Sequence, residues 1–248
     1  LSIMIFFNSS NVNNFKNWYE KDILVNYTNE FKNLVSYNRF IEFKKKYGII
    51  LYFFLKIEKL DKAQGIMFID SFSLKACHIK REHSNKVMED FAAKGKSSMG
   101  WFYGLKLHVV LNTNGELAGF EVTQGNCIDS NENIILELLK GLNGKIFGDR
   151  GYLLNKNLKD ILKNNGIEMI TRVRKNMKQI KLDLYDNFIL CKRNLIESVG
   201  NILKSYCNLE HTRHRSACGF LQNIFSSLCA YTFRSNKPSV DINFPISA

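Results

Sequence analysis

An α/β protein built on a mixed β-sheet flanked by helices is the fold class this sequence predicts, and three observations predict it. Apolar strand-like segments come first as a run and then alternate with helical ones, in the order β-β-β-α-β-α-β-α. Asn114-Gly115 lies between two alternating segments, a strong hairpin signal. Acids close two of the short strands, where open α/β sheets place their sites.

The elements follow in order. Residues 1–62 read as a short helical N-terminal region with many aromatics, among them Phe15, Trp18, Tyr19, Phe31, Tyr37 and Phe40. The chain opens on Leu1 rather than Met, so part of this region is expected to be missing. Residues 63–240 carry the sheet and its helices, and 241–248 form a tail. Ile66–Asp70 is a short strand, and residues 75–100 form a Lys/Ser/Gly-rich connection without clear period. Leu105–Leu111 and Glu116–Thr123 make the hairpin, with Asn131–Lys140 helical after it. Lys145–Asp149 is a strand, Leu154–Asn165 a helix and Ile167–Val173 a strand. Asp183–Tyr206 reads as one long helix and Gly219–Phe233 as another.

Composition narrows the function classes. The 248 residues are 45% hydrophobic and 23% charged, with two prolines, which excludes disordered and Pro-rich chains. The net charge of +12 makes a polyanion the first partner to consider. Only nine of the basic residues are Arg, and Ile, Lys and Asn make up roughly a third of the chain. That is the bias of an AT-rich genome, so the placement of basic residues carries more than their number. Six cysteines without a CxxC pair, and no secretory signal, fit reduced thiols in a cytoplasmic protein. Cys207, His211, His214 and Cys218 share helical spacing, but one helix does not wrap a tetrahedral zinc ion. Ile49–Leu55, the longest apolar run, is too short to cross a bilayer.

Three acids stand out: Asp70 in Phe-Ile-Asp-Ser, Asp149 in Phe-Gly-Asp-Arg-Gly-Tyr, and Glu197 within the long helix. Neighbouring strands would bring the two Asp together. Counting from Arg193, Glu197 falls at about 40° and Lys204 at about 20° around the helix, opposite Leu195, Val199 and Ile202. Arg193 and Glu197 equally suit an i,i+4 surface pair. Three clustered carboxylates need a cation, and Mg or Mn takes oxygen ligands. Two such ions would suit phosphoryl transfer, with the carboxylates within roughly 4–8 Å of one another. Arg150 and Tyr152 flank the second acid and suit either phosphate orientation or turn packing. Lys106 and His108 share one strand face. Arg172, Arg174, Lys175, Lys178 and Lys181 cluster at a strand end and suit DNA phosphates. His211, Arg213, His214 and Arg215 read as a polar or DNA-facing cluster, and Trp101 and Phe102 as core.

At these residues the sequence resembles the DDE transposases of bacterial insertion sequences, most closely the insertion-sequence nine-eighty-two family. The resemblance runs from about Phe31 to Ser239 and rests on several segments. They include Phe68-Ile-Asp-Ser71, Lys94-Gly-Lys-Ser-Ser-Met-Gly-Trp-Phe102, Leu105-Lys-Leu-His108, Phe147-Gly-Asp-Arg-Gly-Tyr152 and Glu210-His-Thr-Arg-His-Arg-Ser216. It implies an RNase H-like sheet with Asp70, Asp149 and Glu197 as a triad binding two divalent ions, Mg or Mn, and no nucleotide cofactor. Of the related Tyr-x2-Arg-x3-Glu-x6-Lys pattern, Arg193, Glu197 and Lys204 are present, and Leu190 stands at the Tyr position. The implied activity is cleavage at transposon ends and strand transfer into target DNA. The implied partners are terminal inverted repeats, target DNA and further copies of the chain in a homodimer or higher oligomer, with residues 1–62 contacting DNA. Alternatives are a nuclease or resolvase that cuts without joining, and a non-catalytic DNA-binding remnant.

Overall fold

The structure, a computed structural model, describes residues 1–59, 63–173, 177, 181–210, 214 and 216–243. By internal contacts the chain divides into two units: 1–59 with 201–234, and 60–200 with 235–248. The C-terminal helix therefore groups with the N-terminal helices.

The helical unit contains α1 (Ser2–Ser9), α2 (Phe15–Trp18), α3 (Leu24–Asn26), α4 (Tyr37–Tyr47) and α5 (Ile50–Phe54). Asn14 and Ser36 cap the starts of α2 and α4 through their side chains, as short polar residues do at orphan N–H groups. The aromatics of this stretch form its core: Tyr19 is fully buried, 4.8 Å from Phe40 between ring centroids, and Trp18 lies 5.3 Å from Phe6 and Phe7.

The second unit holds a six-stranded sheet. Its strands are β1 (Gln64–Cys77), β2 (Ala93–Ser97), β3 (Gly100–Asn112), β4 (Leu117–Gln124), β5 (Asn143–Gly148) and β6 (Ile167–Thr171). β3 runs antiparallel to β1 on one side and to β4 and β2 on the other. β5 is parallel to β1, and β6 is parallel to β5. A meander followed by parallel strands is the mixed sheet that the sequence predicted. Asn112 fastens the hairpin, its side-chain oxygen accepting from the N–H groups of Asn114 and Glu116 at 2.9 Å, and Gly115 supplies the positive φ.

Two helices complete one face: α6 (Glu132–Leu138), capped by Asn131, and α7 (Lys156–Asn164), capped by Asn155. Met67, Ile69, Val110 and Ile146 of the sheet pack there against Ile135, Leu138, Leu158 and Leu162. The expected long helix is two, α8 (Leu184–Cys191) and α9 (Asn194–Ser205). Between them Lys192 and Arg193 form a turn in which Leu195 and Ile196 donate three residues back, to Lys192 and Arg193. Helical periodicity continues across this break, so sequence spacing alone did not reveal it. The last helix, α10 (Ala217–Thr232), belongs to the helical unit and is capped by Ser216.

Two further differences matter. β1 does not stop at Asp70 but continues to Cys77, because β3 pairs with it to that point. Within the expected connection 75–100 lies β2, paired to the first residues of β3. Close approach there requires glycine: a Cβ on Gly104 would overlap the carbonyl oxygen of Leu74. Gly104→Ala is expected to destabilise the sheet unit by at least about 2 kcal/mol, since backbone cannot yield as a side chain would. An unchanged urea midpoint for that unit would contradict the packing described.

Candidate active site

β5 ends one residue short of Asp149, and its pairing with β1 stops at Phe68–Phe147. Asp70 and Asp149 each lie two residues beyond that last pair, Asp70 still within β1 and Asp149 just past the end of β5. Asp149 caps a short 3-10 turn over Arg150–Tyr152, its Oδ1 accepting from the Gly151 N–H at 2.7 Å. Asp70 shares its face of β1 with Phe72, since alternate side chains point the same way. α9 lies close over that face at Gly200, where a Cβ would come 2.6 Å from the Phe72 ring.

The α8–α9 turn delivers Arg193 to Asp70, with Nη2 to Oδ2 at 3.2 Å, while the Ser71 N–H donates to Oδ1 at 2.8 Å. Burial nevertheless pushes the Asp70 carboxyl up to about 6; Arg193 and the Ser71 N–H oppose the rise, and Asp149 and Asp129 add to it. Arg193 also carries a buried Nε without a hydrogen-bond partner among the described residues. A cleft of about 270 Å³ opens here, lined by Gly148, Asp149, Arg150, Arg172, Leu190 and Arg193. Three guanidinium groups around one exposed carboxylate suit a phosphate that approaches together with a cation.

The other sequence candidates are placed as follows. Glu197 is exposed on α9 and makes no hydrogen bond or ion pair among the described residues. Lys204, in the last turn of α9, pairs with Glu210 at 2.9 Å. Tyr152 is fully buried in the apolar cluster beneath the site, and burial, then Asp129 and Asp70, hold its pKa well above the usual phenol range. Arg172 is exposed and donates to Cys191 Sγ at 3.6 Å. His214 stacks on Phe220 in the helical unit, 4.7 Å between centroids. Arg174, Lys175, Lys178, His211, Arg213 and Arg215 lie outside the described residues. All six cysteines are free thiols.

One acid escaped sequence reasoning. Asp129 Oδ1 accepts from Ser71 Oγ at 2.8 Å and from Lys106 Nζ at 3.1 Å, and lies 3.9 Å from His108 Nδ1. Lys106 also donates to the Cys127 carbonyl, and its side chain is only 11% exposed. His108 pairs with Thr123, and burial drives its pKa down to about 4, leaving the ring neutral at pH 7. This network occupies the opposite face of β1 from Asp70, one residue along. The shared face of Lys106 and His108 was legible in the sequence; Asp129, a single acid in a loop before α6, offered no periodic signal.

Among the described residues, no group of three or more His, Cys, Asp and Glu side chains is arranged to hold a metal ion. The two strand acids still fit a hard divalent cation. Their oxygen chemistry matches it, and Asp70 stays raised, with Asp149 among the causes, despite Arg193 and the Ser71 N–H.

Two outcomes follow from this electrostatic arrangement. Asp70 is protonated more readily in the folded chain than unfolded, so without divalent cation stability falls as pH rises from about 4 to about 6, on the order of 2 kcal/mol given its partial exposure. Asp70→Asn should remove that limb, and Mg or Mn should raise the Tm more near pH 7 than near pH 5; equal shifts at both would contradict it. Asp129→Asn should cost about 3 kcal/mol by stranding the buried Lys106 ammonium, and adding Lys106→Met should recover much of the loss. Denaturant midpoints of the two variants check this.

No curated protein matches the chain. Among solved structures it is similar to the crystal structure of the Mos1 mariner paired end complex with Mn. The identity is 11%, over 95% of this chain and 79% of that one, with a TM-score of 0.30, a likeness too distant to carry weight. The family model "Transposase DDE domain" matches residues 60–217, more than half the chain and the whole span of the carboxylates and arginines described above. The chain belongs to the DDE transposase domain family.

Proposed function

We propose that this protein is the transposase of an insertion sequence, of the nine-eighty-two family, cutting DNA at the element's ends and joining those ends to target DNA. The observation that carries the reading is the pair of acids that follow the last paired residues of two adjacent parallel strands, Asp70 held by Arg193 and Asp149 in a cleft lined by Arg150, Arg172 and Arg193. It lies inside the family match. Asp70 and Asp149 would hold the divalent ions, Mg or Mn, and Glu197 would complete the second position from α9. When bound, such ions act as Lewis acids on phosphoryl oxygens and lower the pKa of water.

The chain's own residues do the rest. Arg150 and Arg172, both exposed, hold the backbone phosphates on either side of the scissile bond. Arg193 keeps the Asp70 carboxylate oriented. The chemistry is two successive substitutions at phosphorus. Water displaces a 3′-oxygen and leaves a 3′-hydroxyl at the element's end. That hydroxyl then attacks a target phosphodiester, forming one P–O bond as another breaks and releasing a target 3′-hydroxyl. The number of phosphodiesters is conserved in the joining step, so no nucleotide cofactor is needed. Residues 1–62, together with Arg174, Lys175, Lys178, His211, Arg213, His214 and Arg215, would bind the terminal repeats, in a homodimer or higher oligomer.

The test is a strand-transfer reaction with precut element ends, a supercoiled target and Mg. The wild type should give joined product, and Asp149→Ala should lose it by at least about a thousand-fold while still binding DNA. Cleaved but unjoined DNA would favour a nuclease or resolvase. Equal, absent chemistry with equal DNA binding would favour a non-catalytic remnant.

A further inference from the structure

Trp101 departs from the expectation that it belongs to the core. Phe102 beside it is 2% exposed, but Trp101 is 58% exposed, and Met99 at the tip of the same hairpin is 92% exposed. The register accounts for the difference. Trp101 shares its face of β3 with Tyr103, which is 7% exposed because its hydroxyl donates to the Met88 carbonyl beneath the 79–88 segment. That cover ends before the hairpin tip, and Trp101 lies beyond it.

The surroundings of the indole are specific. Lys96 lies directly across the β2–β3 ladder from Trp101, and Lys94 one pleat further on the same face. Their ammonium groups sit 5.6 and 5.7 Å from the indole centroid. Lys94 is also tied to Glu82 at 2.9 Å, whereas Lys96 has no carboxylate partner among the described residues. The tip is held in shape: the Ser97 hydroxyl donates to the Gly100 carbonyl and accepts from the Met99 N–H, and Gly100 takes a positive φ. An exposed π-face on a fixed turn, flanked by two cations, is what binds an unstacked base together with its phosphates.

We infer that the β2–β3 hairpin is a DNA contact in which Trp101 stacks on an unpaired base while Lys96 and Lys94 engage the adjoining phosphates. The inference rests on the transposase reading for its choice of DNA as the polyanion. A membrane surface also accepts Trp and Lys, but the catalytic cleft needs DNA close by and this hairpin is on the same sheet unit.

Trp18 is buried and is the only other tryptophan, so Trp18→Phe makes Trp101 the sole indole reporter. Titrating that variant with single-stranded DNA of roughly 16 nucleotides should quench its emission. Should the variant not fold, the difference in emission between wild type and Trp101→Phe carries the same signal. By anisotropy of the labelled strand, Trp101→Ala should bind roughly ten- to hundred-fold more weakly, with Trp101→Phe in between. Lys96→Ala should lower the salt slope by about one. Unquenched emission with wild-type affinity in Trp101→Ala would overturn this inference and leave the transposase reading standing. Absence of DNA binding would overturn both, and quenching by anionic phospholipid vesicles but not by DNA would assign the hairpin to membranes instead.

Discussion

The contact between Arg193 and Asp70 is the one on which the site depends. Asp70 is pressed between burial and two further carboxylates, Asp149 and Asp129, and only a nearby cation lets it ionise near neutral pH. Arg193 is the cation the chain itself provides, and it stands in the turn between α8 and α9.

The sheet divides the labour around β1 between its two faces. Asp70 and Phe72 look toward α9, where Gly200 permits a close approach. Ser71 looks the other way, into the network of Lys106, Asp129 and the neutral His108. Both faces carry paired charge, and in both the pair costs desolvation that only the partner offsets. Consecutive residues of one strand thus tie a substrate-facing acid to a buried structural ion pair, and displacement of one bears on the other through the backbone they share.

Much of this was legible in the sequence for physical reasons that can be named. Asn114-Gly115 specified the hairpin because its positive φ suits few other pairs. The alternation of strands and helices specified the sheet, and Asp70 and Asp149 stood out as acids within apolar strands. What was not legible depended on pairing. Nothing in Phe-Ile-Asp-Ser says that β1 runs on to Cys77; β3 decides that. The exposure of Trp101 depends on where the 79–88 cover ends, and Asp129 is defined by what surrounds it rather than by its neighbours in sequence. Glu197 was found by helical arithmetic, which gives a face but not a destination.

The central claim is that Asp70, held by Arg193, and Asp149 would together hold a divalent cation. Calorimetric titration with Mn near pH 6, in buffers of different ionisation enthalpy, tests it most directly. The account predicts binding with net proton release from Asp70, and loss of both the release and most of the affinity in Asp70→Asn, with affinity lost also in Asp149→Asn. Binding of Mn to both variants as tightly as to the wild type, without proton release in any of them, would contradict it.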